Sequence, residues 1–303
     1  MSFSIGLRFY QVHIHKVQDR NPVGFQKDVM TSDPYVFMKE FVKNNQEIRD
    51  REDLQRSWFL DAKPVDGARD IKGYIKYGTY GFESNLIDRK SKKSNYKRKS
   101  SDLEEIPLYF QFWVPDAGPC GFAVFQSFQG RSCVTLVIGA ITEQFKAKHK
   151  GYALSFKKIM PEDVKGSSLY SAPVKQVRLV KKSMPRDKAD KYLKNIEAEE
   201  VDFEISLKAK RKRNLGNILS LRKGADQTSS SFLVYDGIKF DEAIAEVSVG
   251  GRRRTVGIMG YNSDAGTVEI SDSVSWGPDG HPTFQSVSRE ADTILQDFYK
   301  TMS

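Results

Sequence analysis

The sequence predicts an α+β fold, with strand-rich mixed or antiparallel sheets and packed helices. Three observations carry that reading. Apolar residues alternate at period two in several segments, most cleanly at Val201, Phe203, Ile205 and Leu207. Helical patterns are few and do not alternate with strands regularly enough for a parallel doubly wound sheet. Nineteen Phe and thirteen Tyr favour packing on a pleated surface.

Each element follows in order. Residues 3–16 form the first strand. Phe3, Ile5, Leu7 and Phe9 share one face, then Tyr10, Val12 and Ile14 become the apolar set. That phase change requires a bulge near Phe9–Tyr10 or a passage between two packing environments. Asp33-Pro34 opens a helix, with Asp33 as its cap, Phe37 and Phe41 on one face and an end near Asn45. A polar, mostly charged stretch runs on to Arg56. Residues 71–87 interleave aromatics with glycine, as in a strand or hairpin with close backbone approaches. Residues 89–99 read as a mobile surface loop. Residues 106–115 and 121–128 form a hairpin around PDAGPCG. Ser132 caps a long helix with a stripe of Val134, Val137, Ile138, Ile141 and Phe145, stopped by Gly151.

Strands follow near 152–159 and 174–180, then a short helix in MPRDKADKYLK, then the strand from Val201. Asn214 is the expected cap of a helix over 215–223, with Gly224 at its end. DQTSSS is a loop. Residues 240–261 make a strand pair turning at Gly250-Gly251. Residues 267–274 are a further strand, WGPDGHP is a turn, and the last helix runs from about Ser288 to Met302. A composition break over 161–171 divides an N-terminal α+β domain, 1–160, from a β-rich C-terminal domain, 161–303. One large domain is the other arrangement that 303 residues allow.

The formal net charge is +9, which favours anionic partners. Only two cysteines occur, Cys120 and Cys133, fewer than a secreted disulfide scaffold would carry, and both read as reduced and packed. The opening MSFSIGLRFYQ lacks the apolar run of a signal peptide. No apolar run is long enough to span a bilayer. The expected setting is the cytoplasm, with no membrane partner.

The charge is concentrated. From Lys208 to Arg213, Lys208, Lys210, Arg211, Lys212 and Arg213 are cationic. If the strand from Val201 continues through Arg213, the lysines fall on its polar face and the arginines on the other. The strand then overruns the core and projects cations both ways, just before a helix N-terminus that itself attracts anions. Four more runs exist: the 89–99 loop, which includes Lys92, Lys93, Lys97 and Arg98; Lys146–Lys150; Lys175–Lys188; and Arg252, Arg253 and Arg254 at a hairpin turn. Tyr96, inside the first of these, could stack on a base. Convergence of the five runs on one face would bind a DNA or RNA backbone and release counterions. No zinc-finger spacing, basic-region heptad or RNP signature supports reading of bases.

Catalytic candidates are sparser. His13 and His15 share a strand face, as a pair for metal binding or proton transfer requires. Asp70 and Lys72 satisfy half of a metal-dependent nuclease pattern, with Asp53, Asp61 or Asp66 as the second carboxylate for Mg²⁺. That nuclease effector is the alternative to a binding protein without cofactor. His281 braces a turn, and His149 faces solvent within KAKHK. P-loop, GxGxxG and GxSxG motifs are absent.

GYIKYGTYGFESNLID (73–88) and DLEEIPLYFQFWVP (102–115), with GGRRRTVGIMGY and DGHPTFQSV toward the C-terminus, make the chain similar to uncharacterised bacterial proteins found in or near anti-phage defence loci. The resemblance implies a bacterial cytoplasmic protein acting in defence, beside a partner subunit. It transfers no catalytic residue. A third reading follows, an adaptor whose basic loops meet an acidic protein partner.

Overall fold

The computed structural model describes residues 5–19, 21–23, 25, 33–64, 69–116, 118–183, 201–225, 234–235, 238–259 and 265–302. The fold is α+β and sheet-rich. It divides into two units, one of Met1–Phe9, Lys158–Gly277 and Gln285–Ser303, the other of Tyr10–Lys157 and Pro278–Phe284. Strand β1 (Ile5–Lys16) contributes to both. Ile5, Leu7 and Phe9 are buried, then Val12 and Ile14. The phase change falls where the chain leaves one unit and enters the other. A passage between packing environments therefore accounts for it.

In the first unit the strand order is β11 (Phe203–Lys208), β10 (Val174–Lys181), β14 (Glu242–Val249), β15 (Arg252–Met259), β16 (Val268–Glu269) and the start of β1. Every pairing with a defined register is antiparallel. Alternation sorts the side chains. Val177, Ala245, Val256, Val268 and Leu7 are buried in a row on one face. Lys208, Gln176, Glu246 and Thr255 stand opposite one another on the other face, with only partial burial except at exposed Lys208. Among the helices of this unit are α3 (Ser168–Ser171), α4 (Ile218–Ala225) and, from Gln285 onward, α5 (Phe284–Met302). Phe298 of α5 meets Phe9 edge-on at 5.2 Å and stacks on Tyr170 at 5.3 Å.

The second unit orders its strands as β9 (Tyr152–Lys158), the later part of β1, β8 (Gly121–Phe128), β7 (Glu104–Trp113), β4 (Asp70–Thr79), β3 (Arg56–Lys63) and β2 (Arg49–Arg51). Its helices are α1 (Pro34–Asn44) and α2 (Val134–Lys148). Asp33 caps α1 by accepting from the Tyr35 amide. Phe37 meets Phe145 of α2 at 5.0 Å, and Phe41 meets Phe112 of β7 at 6.4 Å. Gly73 is fixed by close approach, since a Cβ there would lie 2.3 Å from the Asp61 carbonyl oxygen.

Several expectations need correction. The 89–99 stretch is not a loop alone. Ser94–Arg98 forms β6, paired with β5 (Ser84–Ile87) in a hairpin. Leu86 opposite Tyr96 gives that pairing an apolar cross-strand contact. The polar stretch before Arg56 contains β2, and RSWFLDAK forms β3 because Trp58 and Leu60 reach the core. The strand from Val201 stops at Lys208 and does not run through Arg213. The cap of α4 is Asn217, whose Oδ1 accepts from the Ser220 amide at 2.8 Å while Ser220 Oγ accepts from the Asn217 amide at 3.1 Å. Asn214 Oδ1 instead closes a turn on the Gly216 amide. Only Val268–Glu269 of the expected 267–274 stretch pairs as a strand, because a 3₁₀ turn occupies Ser271–Ser273. Helix α5 begins at Phe284, whose ring packs on Tyr74 and Tyr109. The helix in MPRDKADKYLK and the DQTSSS loop lie outside the described residues.

Among the described residues, no helix is long and apolar enough to cross a membrane.

Candidate functional site

Three of the basic runs meet in the first unit. Antiparallel pairing sets Gln176 against Lys208 on one side and Glu246 on the other. Beyond Lys208 the chain turns at once. The Ala209 amide donates to the Lys175 carbonyl, and the Arg213 amide to that of Lys210. Lys212 takes the left-handed region at φ 64°, which closes the turn. The chain then returns along β10, where Leu215 N donates to Val174 O and Val174 N to Gly216 O. Lys175 Nζ donates to the Arg213 carbonyl at 3.0 Å. From the other side, the turn at Gly250 (φ 56°) and Gly251 (φ 78°) brings Arg253 opposite Ser248. Two consecutive positive φ values are what a tight two-residue hairpin demands.

The result is a cleft of about 290 Å³, lined by Lys175, Gln176, Lys208–Arg213, Glu246, Ser248 and Arg253. A second hollow of about 230 Å³ continues over Arg178, Ile244 and Thr255, sharing Gln176 and Glu246. Among the described lining residues the one carboxylate, Glu246, pairs with Arg253 at 3.5 Å. Among the described residues no carboxylate lies within ion-pair distance of Lys175, Lys208, Lys210, Arg211, Lys212 or Arg213. Among the described residues the lining holds no aromatic ring. Such a site can receive an anion through charge and amide groups.

Neighbouring cations are used differently. Arg254 lies on the opposite face of β15, buried, with Nη2 2.6 Å from Glu290 Oε2 of α5. It neutralises a buried carboxylate and is no part of the cleft. Arg252 pairs with Val249 along the backbone, and its side chain is outside the described atoms. Within the run from Lys175, Lys181 pairs with Asp241 and Lys182 with Glu242, at 3.0 and 2.7 Å. The run beyond Ser183 is outside the described residues.

The other two runs belong to the second unit. In the β5–β6 hairpin, Arg98 is buried, pairs with Glu104 at 3.1 Å, donates to the Thr79 carbonyl and lies 4.0 Å above the Phe82 ring. It anchors the hairpin. Tyr96 donates its hydroxyl to Asp102 and remains half exposed. That bond holds the phenol above its usual range. Lys97 pairs with Glu83 at 3.2 Å, whereas Lys92 and Lys93 are exposed near the turn. In the run at the end of α2, Lys148 pairs with Glu40. His149 is buried against Phe145 and Phe37, at 4.7 and 5.7 Å, contrary to a solvent-facing position.

The catalytic candidates stand apart from the cleft residues in sequence and belong to the second unit. His13 is half-buried, and burial, then Lys157 and His15, lower its pKa. His15 Nδ1 lies 3.0 Å from the Lys16 carbonyl oxygen. Asp70 and Lys72 form an ion pair at 3.1 Å, and Gln111 Nε2 donates to both Asp70 oxygens at 3.1 and 3.0 Å. Of the candidate second carboxylates, Asp61 pairs with Lys63 and Asp53 with Arg51, both at 2.8 Å. Asp66 is outside the described residues. Among the described residues no group of three or more His, Cys, Asp or Glu side chains is placed to hold a metal ion. His281 sits 5.1 Å from the Phe128 ring.

Gln176, Glu246 and Ser248 were not singled out by their residue types. The signal that finds them is the alternation of VKQVRLVK and EAIAEVSV, which sends them to the face opposite the core. No protein-family model matches the chain, and no curated protein matches it.

Proposed function

We propose that the first unit binds the phosphate backbone of nucleic acid at the cleft formed by Lys175, Lys208–Arg213 and Arg253. One observation carries this reading. Among the described residues, positions distant in sequence gather seven cationic side chains and one carboxylate around a single hollow. Like charges held this closely repel, and an extended polyanion relieves that repulsion while releasing counterions. The cationic lining supports contact with phosphate, which positions a nucleic acid without reading its sequence. The resemblance to proteins near bacterial defence loci supports a setting in the bacterial cytoplasm.

The test is an anisotropy titration with labelled duplex DNA and RNA at low salt. The variant Lys210→Glu with Lys212→Glu should weaken binding by about a hundredfold, as two phosphate contacts become repulsive. Equal affinity of the variant and the wild type would overturn the assignment of the cleft. So would no affinity of the wild type for either polymer.

A further inference from the structure

We infer, on the reading of this chain as a nucleic-acid binder, that the β5–β6 hairpin of the second unit is an arm that enters the major groove of B-form duplex DNA. Among the described residues the hairpin pairs with no other strand. Residues 85–87 and 94–97 are all exposed, so both faces of the ribbon are open. Residues 82–99 hold seven Lys and Arg side chains against two carboxylates, Glu83 and Asp88. Glu83 pairs with Lys97 at 3.2 Å. Asp88 is turned inward, where its Oδ1 accepts from the amides of Lys90 and Ser91 at 3.1 and 2.6 Å and closes the turn. Arg89, Lys90, Lys92 and Lys93 are exposed at the tip, with no carboxylate within ion-pair distance among the described residues.

The arm is braced at both ends. At its root Arg98 is buried, bonded to Glu104 and stacked on Phe82, and the Gly81 amide donates to the Ser100 carbonyl at 2.8 Å. At its tip the Asp88 amide donates to the Lys93 carbonyl and the Lys92 amide to the Asp88 carbonyl, at 2.8 and 2.9 Å. A pre-formed ribbon gives up little conformational freedom on binding. Its strands lie about 4.8 Å apart, and the major groove of B-DNA, about 12 Å wide, admits a two-stranded ribbon. The tip cations then meet the phosphates along the groove. Leu86 opposite Tyr96 gives one face apolar area for thymine methyl groups, and Asn85 opposite Lys97 makes the other face polar. A-form RNA bars the ribbon, because its major groove is deep and narrow. A bilayer fits less well, since the charged turn leads and Leu86 stands behind it. An acidic protein would pair the cations, but nothing in the width of a ribbon selects one.

Anisotropy titrations of the full chain with labelled DNA and RNA duplexes of one sequence test this. The wild type should bind the DNA about tenfold more tightly than the RNA. Lys90→Glu with Lys93→Glu should lose that preference, weaken DNA binding about tenfold and lower the salt slope by about two. Equal affinity of the wild type for the two duplexes overturns the proposal. So does a variant, folded by circular dichroism, that binds DNA as the wild type does. Should the variant fail to fold, a DNA duplex whose cytosines carry glucosylated hydroxymethyl groups at C5 decides with the wild type alone. Those groups fill the major groove, so binding must weaken, and an unchanged affinity sinks the idea. Polyglutamate or phosphatidylglycerol vesicles that bind the wild type as tightly as DNA does, and the variant less, overturn it in favour of an acidic protein or a membrane. Lys210→Glu with Lys212→Glu should weaken both duplexes alike and leave the preference for DNA in place. If it changes nothing while the arm variant behaves as expected, the cleft falls and the arm stands, so the two can fail separately.

Discussion

Arg253 and Arg254 are chemically identical neighbours with opposite fates. The side-chain period of a strand sends one to the wet face and the other beneath the sheet. Arg254 is buried against Glu290, itself 1% exposed. Removing one partner leaves an uncompensated buried charge, which costs about 3–5 kcal/mol. Glu290→Ala should therefore lower the urea midpoint sharply, while Arg253→Glu should change stability by no more than about 0.5 kcal/mol and weaken polyanion binding instead. Equal effects of the two on stability would contradict the assignment of faces. The triplet itself was visible in the sequence, but not which arginine points where. The exact end of the hairpin turn decides that, and a shift of one residue reverses it.

At the scale of elements, α1 and α2 meet around His149. Its ring lies between Phe145 and Phe37. Burial, followed by the neighbouring Lys148, lowers its pKa, with Glu40 opposing. The folded state therefore holds this proton less tightly than the unfolded chain. The stabilisation is present above the unfolded value of about 6.5 and is lost as pH falls below it. His13 of β1 shifts in the same direction. The urea midpoint should fall between pH 7.5 and pH 5.5, and His149→Gln should flatten part of that fall. A midpoint that rises on acidification would contradict the account. Helix existence was legible for α1, α2 and α5 because each carries a periodic apolar stripe. The register of shorter elements was not. Asn214 and Asn217 are both good caps, and only the return of the chain along β10 selects Asn217. The 89–99 stretch concealed a strand because charge suggested solvent, whereas β6 is fixed by its partner β5 and by buried Arg98.

For the molecule as a whole, the net charge of +9 is not spread evenly. Part of it is neutralised locally, as at Lys181, Lys182, Lys148 and Arg98. Among the described residues of the first unit, a surplus lies around one cleft, where seven cations face a single carboxylate. Sequence alone identified the runs. It could not show which of them tertiary pairing brings together, because strands far apart in the chain supply the lining. The central claim is that this surplus exists to be neutralised by phosphate. Its most direct measurement is the salt dependence of duplex affinity from 50 to 300 mM. The account predicts a log–log slope of about −4 to −5, as about five neutralised phosphates require, falling by about two in Lys210→Glu with Lys212→Glu. A slope near zero, or one that the substitutions leave unchanged, would contradict it.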